Sequence, residues 1–137
     1  MNKRQAEAAI KFEGWTRTRG SGYCEDRHGT EYPSEGASWV MLTSEEYRVA
    51  LVFNLSGGDV SGSTFFENGD GWFCFDRRGI EQSFYASYDG KSTWHEPLDV
   101  PAIVAAQLER VANARATGEQ EPVPGLGGSR HRGVFGV

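Results

Sequence analysis

The sequence predicts an α+β fold: an antiparallel β-meander of about five or six strands with an N-terminal and a C-terminal helix packed on one face, plus a flexible C-terminal tail. Three observations carry this. Aromatic and β-branched residues gather in short runs between Trp39 and Trp94, separated by Gly, Asn and Asp turns. Apolar residues recur at helical spacing after Asp99, and Gly and Pro dominate beyond Gly118. A chain of 137 residues has the size of one domain, so residues 1–118 are read as a single α+β domain and 119–137 as a Gly/Pro-rich tail or arm.

Residues 3–13 are rich in helix formers, and Ala8, Phe12 and Trp15 recur at i, i+4 and i+7, which predicts a short helix ended by Gly14. From Thr16 to Ser38 the chain is polar and carries Gly20, Gly22, Gly29, Pro33 and Gly36, the marks of a long irregular segment. Trp39–Thr43 and Tyr47–Leu55 read as strands joined through Thr43-Ser-Glu-Glu. After the Ser56-Gly-Gly-Asp loop come Ser63–Glu67, an Asn68-Gly hairpin signal and Trp72–Asp76. Ile80–Ser87 and a short last strand over Ser92–His95 complete the meander, and Pro97 and Pro101 stop it. Asp99 supplies an N-cap oxygen to a second helix, along which Val104, Leu108, Val111 and Arg115 recur on one side, widened by Ile103 and Ala112.

No stretch approaches the roughly 18 apolar residues of a membrane span, and no apolar run follows the basic start, so neither a membrane segment nor a secretory signal is expected. A cytoplasmic location follows as the default. In a reducing compartment Cys24 and Cys74 are expected as thiols, with Cys74 a small buried side chain. The net charge of −5 is unevenly spread: residues 1–23 carry +3, residues 24–99 carry −9 and residues 100–137 carry +1. An acidic centre disfavours non-specific binding of nucleic acid and favours a protein partner with a basic surface.

Most catalytic chemistries find little support. Ser56–Thr64 has the glycine separation of a phosphate loop but lacks its lysine, and a strand follows where a helix should supply amides. Cys24, His28, Cys74 and His95 form a set that zinc would accept, yet their spacing matches no compact zinc module. There is no Gly-x-Ser-x-Gly elbow, and nothing places Glu25-Asp26 or Glu45-Glu46 in a desolvated cleft. No cofactor, metal ligand or catalytic residue is assigned.

The candidate binding residues are aromatic and basic. In a strand, Phe73 and Phe75 point to one face while Trp72 and Cys74 point to the other, and Arg77 and Arg78 follow. Core packing is the plain reading of the phenylalanines; exposed, they and the arginines would resemble sheet-based readers of single-stranded nucleic acid. In the tail, Arg130, Arg132 and Phe135 are natural anchors for an arm that folds on contact. The function expected is that of a small non-catalytic protein-protein interaction protein. In its shortness, acidic centre and missing catalytic motif the chain resembles accessory proteins of phages and mobile elements, among them inhibitors of host machinery and virion-associated subunits. The alternatives are a single-stranded nucleic-acid-binding sheet protein and a small metal-dependent enzyme.

Overall fold

The computed structural model describes residues 1–21, 24–25, 31–32, 38–69, 71–75 and 82–118. Helix α1 (Lys3–Ala9) is followed by β1 (Thr16–Ser21), a two-residue ribbon of β2 (Cys24–Glu25) and β3 (Glu31–Tyr32), then β4 (Ser38–Ser44), β5 (Val49–Ser56), β6 (Asp59–Asn68), β7 (Gly71–Cys74), β8 (Phe84–Ser87) and α2 (Val100–Thr117). Six strands form one antiparallel sheet in the order β1-β4-β5-β6-β7, and β8 also pairs with β6. Both β7 and β8 lie on the side of β6 away from β5: Phe65–Asn68 face β7, and Asp59–Gly62 face β8. The two short strands therefore share one lane, interrupted between Phe75 and Ser83, whose amides return to Thr64 O and Gly62 O. Among the described residues no helix is long and apolar enough to cross a membrane.

Alternation along the strands puts one set of side chains under the helices. Val40 and Leu42 of β4, Val49, Leu51, Phe53 and Leu55 of β5, Val60 and Phe66 of β6 and Phe84 and Ala86 of β8 form one cluster with Ala6, Ile10, Val104 and Val111. Gly62 makes part of this possible. A Cβ there would run into the Phe84 ring, so its absence lets Phe84 cross β6 and meet Phe53 edge-on, 5.1 Å between centroids. The opposite face carries a second, smaller cluster of Ala50, Phe65, Trp72 and Cys74, with Val52 packed against it.

Several expectations are corrected. Helix α1 ends at Ala9; it buries Ala6, and its C-cap residue Ile10 is buried too, rather than a stripe through Ala8, which is exposed. An Asn2–Gln5 capping box sets its start, and Phe12 and Trp15 pack against the core from the turn that follows. The segment after Trp15 is not irregular throughout: Thr16–Ser21 pairs residue for residue with β4. Its polar alternation hid it, because at this sheet edge Arg17 donates to the Ile10 and Glu7 carbonyls and Arg19 pairs with Glu7 at 2.6 Å, binding the strand to the C-terminal end of α1. Strand β6 starts at Asp59 instead of Ser63, after a tight turn in which Gly58 has φ of 92°. Ser92–His95 is not a strand; the lane closes instead with a parallel bridge between Ser87 and Pro97.

Helix α2 starts as expected, with Asp99 accepting from the Ala102 amide, and ends on Gly118 in the left-handed region. Its buried side is Val100, Val104, Gln107, Val111 and Ala114. Leu108 and Ile103 are half-buried flanks and Ala112 is exposed, which rotates the seam from the stripe the sequence suggested. Gln107 belongs to the seam because Thr64 Oγ1 of β6 donates to its side-chain oxygen at 2.8 Å. The expected tail, 119–137, lies outside the described residues.

Candidate functional site

The side chains singled out in β7 are absorbed by packing. Trp72 is buried in the second cluster with Cys74. On the helix-covered face, Phe73 lies over Phe66 with centroids 5.8 Å apart, and Phe75 stacks on Phe66 at 4.8 Å. The Arg110 guanidinium of α2 sits 4.0 Å from the Phe75 centroid. Phe66 and Arg110 thus contact the Phe75 ring, Phe66 contacts the Phe73 ring, and both phenylalanines stay half-buried. Arg77, Arg78, Arg130, Arg132 and Phe135 lie outside the described residues, as does His28. Among the described residues, no three His, Cys, Asp or Glu side chains gather as a metal site. Of the proposed zinc set, Cys74 is in the second cluster, whereas His95 stands beside Asp59 at the β8 margin of the sheet.

That margin brings His95 together with residues the sequence did not single out. Strand β8 runs out at Ser87, and the chain leaves and returns there: Ser87 N donates to Glu96 O at 2.8 Å, and Leu98 N to Ser87 O at 2.9 Å. The excursion is held to the β5–β6 turn, because Tyr88 N donates to Gly58 O while Gly58 N donates to the Tyr88 hydroxyl oxygen. Asp89 Oδ1 accepts from the Lys91 amide at 2.9 Å, and Ser92 Oγ accepts from the Trp94 amide at 3.2 Å, so the loop is tied by its own polar side chains.

Two of the exposed large hydrophobic side chains lie here, and Tyr47 in the turn before β5 is another. Trp94 is 88% exposed and Tyr85 44% exposed, in a protein whose other described tryptophans are buried or half-buried. The Tyr85 ring stacks on His95, centroids 4.9 Å apart and planes within 12°. On its other side His95 directs Nδ1 toward Asp59 Oδ1 at 3.5 Å, with both atoms shielded from solvent and outside hydrogen-bond geometry. Next to this pair lies an open cleft of about 470 Å³ lined by Met1, Ser87, Tyr88, Asp89, Gly90, Ser92, His95, Pro97 and Leu98. Carboxylates outnumber cations in the surrounding chain, with Asp89, Glu96 and Asp99 against Lys91 between residues 87 and 99.

The physical signal for this patch was present in the sequence. Trp94 sits in the polar stretch Lys91-Ser-Thr-Trp-His between Gly90 and Pro97, where turn residues leave no length for a buried strand. Reading Ser92–His95 as a strand concealed it.

Fold and site define a class: a small α+β protein with an antiparallel sheet, one face roofed by α2, and an aromatic, acidic sheet margin. Compared with family models, curated proteins and solved structures, the chain shows no significant match to any.

Proposed function

We propose that the chain is a small non-catalytic protein-binding protein, which presents the margin formed by Tyr85, Trp94 and His95 to a basic surface of another protein. The observation that supports this most directly is the 88% exposure of Trp94, the chain neighbour of His95, on which the 44% exposed Tyr85 ring stacks. Tryptophan and tyrosine left at the surface are the side chains that dominate binding energy when covered. Acidic groups near them, Asp59 beside His95 and Asp89 and Glu96 in the same loop segment of the chain, favour encounter with a basic partner. An accessory role fits this reading, either as an inhibitor that masks a basic host surface or as a subunit of a larger particle.

The test is affinity capture with the full-length chain from a bacterial extract, split into nuclease-treated and untreated halves and read by mass spectrometry. One stoichiometric protein retained after nuclease is the expected outcome. Material that disappears with nuclease contradicts the reading and favours nucleic acid.

A further inference from the structure

We propose that the free edge of β1 takes up an extended acidic segment of a protein partner as a further strand of the sheet. This goes beyond the reading above, because β1 and β8 lie at opposite edges of the sheet and neither surface depends on the other. Among the described residues no strand pairs with β1 on the side away from β4. Its register with β4 runs unbroken from Thr16 against Thr43 to Ser21 against Ser38, and Thr16, Arg17, Thr18 and Arg19 are exposed. Every second residue of such a strand turns its N–H and its C=O outward, which makes the edge a template for an added strand. The opposite edge offers no comparable run. There β7 and β8 are four residues each, Ser83 O accepts from Arg110, and the amide and carbonyl of Ser87 are both taken by the returning chain.

Charge names the occupant. Arg17 and Arg19 stand opposite Leu42 and Val40 in the register, so they share the helix-covered face of the sheet. Arg19 pairs with the Glu7 carboxylate, whereas Arg17 is held by neutral carbonyls, those of Ile10 and Glu7, which leave its charge uncompensated. Residues 1–23 as a whole carry +3. A second copy of β1 is disfavoured: both two-fold registers that keep most of the strand paired, centred on Thr18 or on Arg19, set arginine opposite arginine. A strand with carboxylates at alternate positions meets the arginines with opposite charge. On the other face Gly20 leaves room for the Trp39 indole, which lies over β1 with its shielded Nε1 lacking an acceptor. An added residue opposite Gly20 stands beside that indole. Threonine suits the position, offering a methyl group to the ring and a hydroxyl oxygen to its N–H, and it continues the row of Thr16 and Thr18.

The experiment titrates the isotopically labelled full-length chain with an acetylated, amidated peptide of alternating Glu and Thr, followed by amide and indole N–H resonances and by amide hydrogen exchange. The same peptide with Lys in place of Glu is the control. The expected result is perturbation centred on residues 16–21 and the Trp39 indole, slower exchange at alternate amides of β1, and binding roughly tenfold tighter than that of the Lys peptide. Arg19→Gln, at a side chain 66% exposed, weakens the Glu peptide roughly threefold without weakening the Lys peptide. No perturbation of β1 at millimolar peptide, equal binding of the Lys peptide, or unchanged exchange of the β1 amides overturns the proposal, the last because charge attraction alone leaves the backbone edge open. Sedimentation showing that the free chain dimerises, with β1 amides already protected, overturns it in favour of self-association.

Discussion

Gly62 and Thr64 show how much of this fold rests on single atoms in β6. Gly62 gives up a side chain so that the Phe84 ring can cross the strand. Gly62→Ala should therefore push Phe84 out of its contact with Phe53 and destabilise the protein by about 1–3 kcal/mol, read as a lower midpoint in urea with an unchanged slope. Two residues on, the Thr64 hydroxyl donates to Gln107 inside the seam of α2 and the sheet. Thr64→Val removes that donor at nearly constant volume and leaves the Gln107 oxygen buried without it, at a cost of about 1–3 kcal/mol. Pairing Thr64→Val with Gln107→Leu should recover part of the loss, because neither polar group then remains stranded.

At the scale of elements, α2 is fastened at its far end by Arg115. Its Nε and Nη2 donate to Glu67 O at 3.1 and 2.7 Å, and Nη2 also reaches Arg48 O at 3.1 Å, where Arg48 turns with φ of 55° at the start of β5. Burial, followed by the nearby Arg48 charge, lowers the Arg115 pKa from its ordinary value, opposed by Glu67; the guanidinium nevertheless stays charged at neutral pH. Arg115→Lys cannot reproduce the fork, and it should lower the melting temperature and speed amide exchange in the last turn of α2 before it affects the sheet. Val104→Asp, by contrast, places an unpaired charge in the centre of the seam and should prevent folding altogether, as circular dichroism would report.

The elements show what could be read from the chain and why. Apolar runs rich in β-branched and aromatic residues, such as Val49–Ser56, and the Asp99-capped helix are legible because local pattern and tertiary burial agree. Strand β1 was not, since Thr-Arg-Thr-Arg has no apolar side, and its partners are the carbonyls of α1 and the backbone of β4. The shared lane of β7 and β8 was invisible for a similar reason: pairing with opposite halves of one long strand is a long-range register, which no local spacing encodes. The exposed aromatic margin at β8 is hidden from local pattern because an isolated exposed tryptophan reads as a strand residue by propensity.

For the whole molecule, the helix that roofs the sheet is complete at Gly118, whose amide donates to Ala114 O at 2.8 Å. Removing residues 119–137 should leave the melting temperature of the remaining domain unchanged within about 2–4 °C; a larger drop would make the tail part of the folded unit. The charge of the acidic centre should appear as association that slows with salt, while the aromatic margin should govern how long a complex lasts. These effects separate in the kinetics of variants. Glu96→Gln should change mainly the on-rate, and Trp94→Ala mainly the off-rate.

The most direct measurement compares the wild-type chain with Tyr85→Ser/Trp94→Ala in binding the captured protein partner, after thermal melts have shown that both fold alike. Both side chains are exposed, so the fold should tolerate their loss while affinity falls at least about a hundredfold, as expected for two aromatic anchors. Equal affinity of the two proteins would contradict the assignment of binding to this margin.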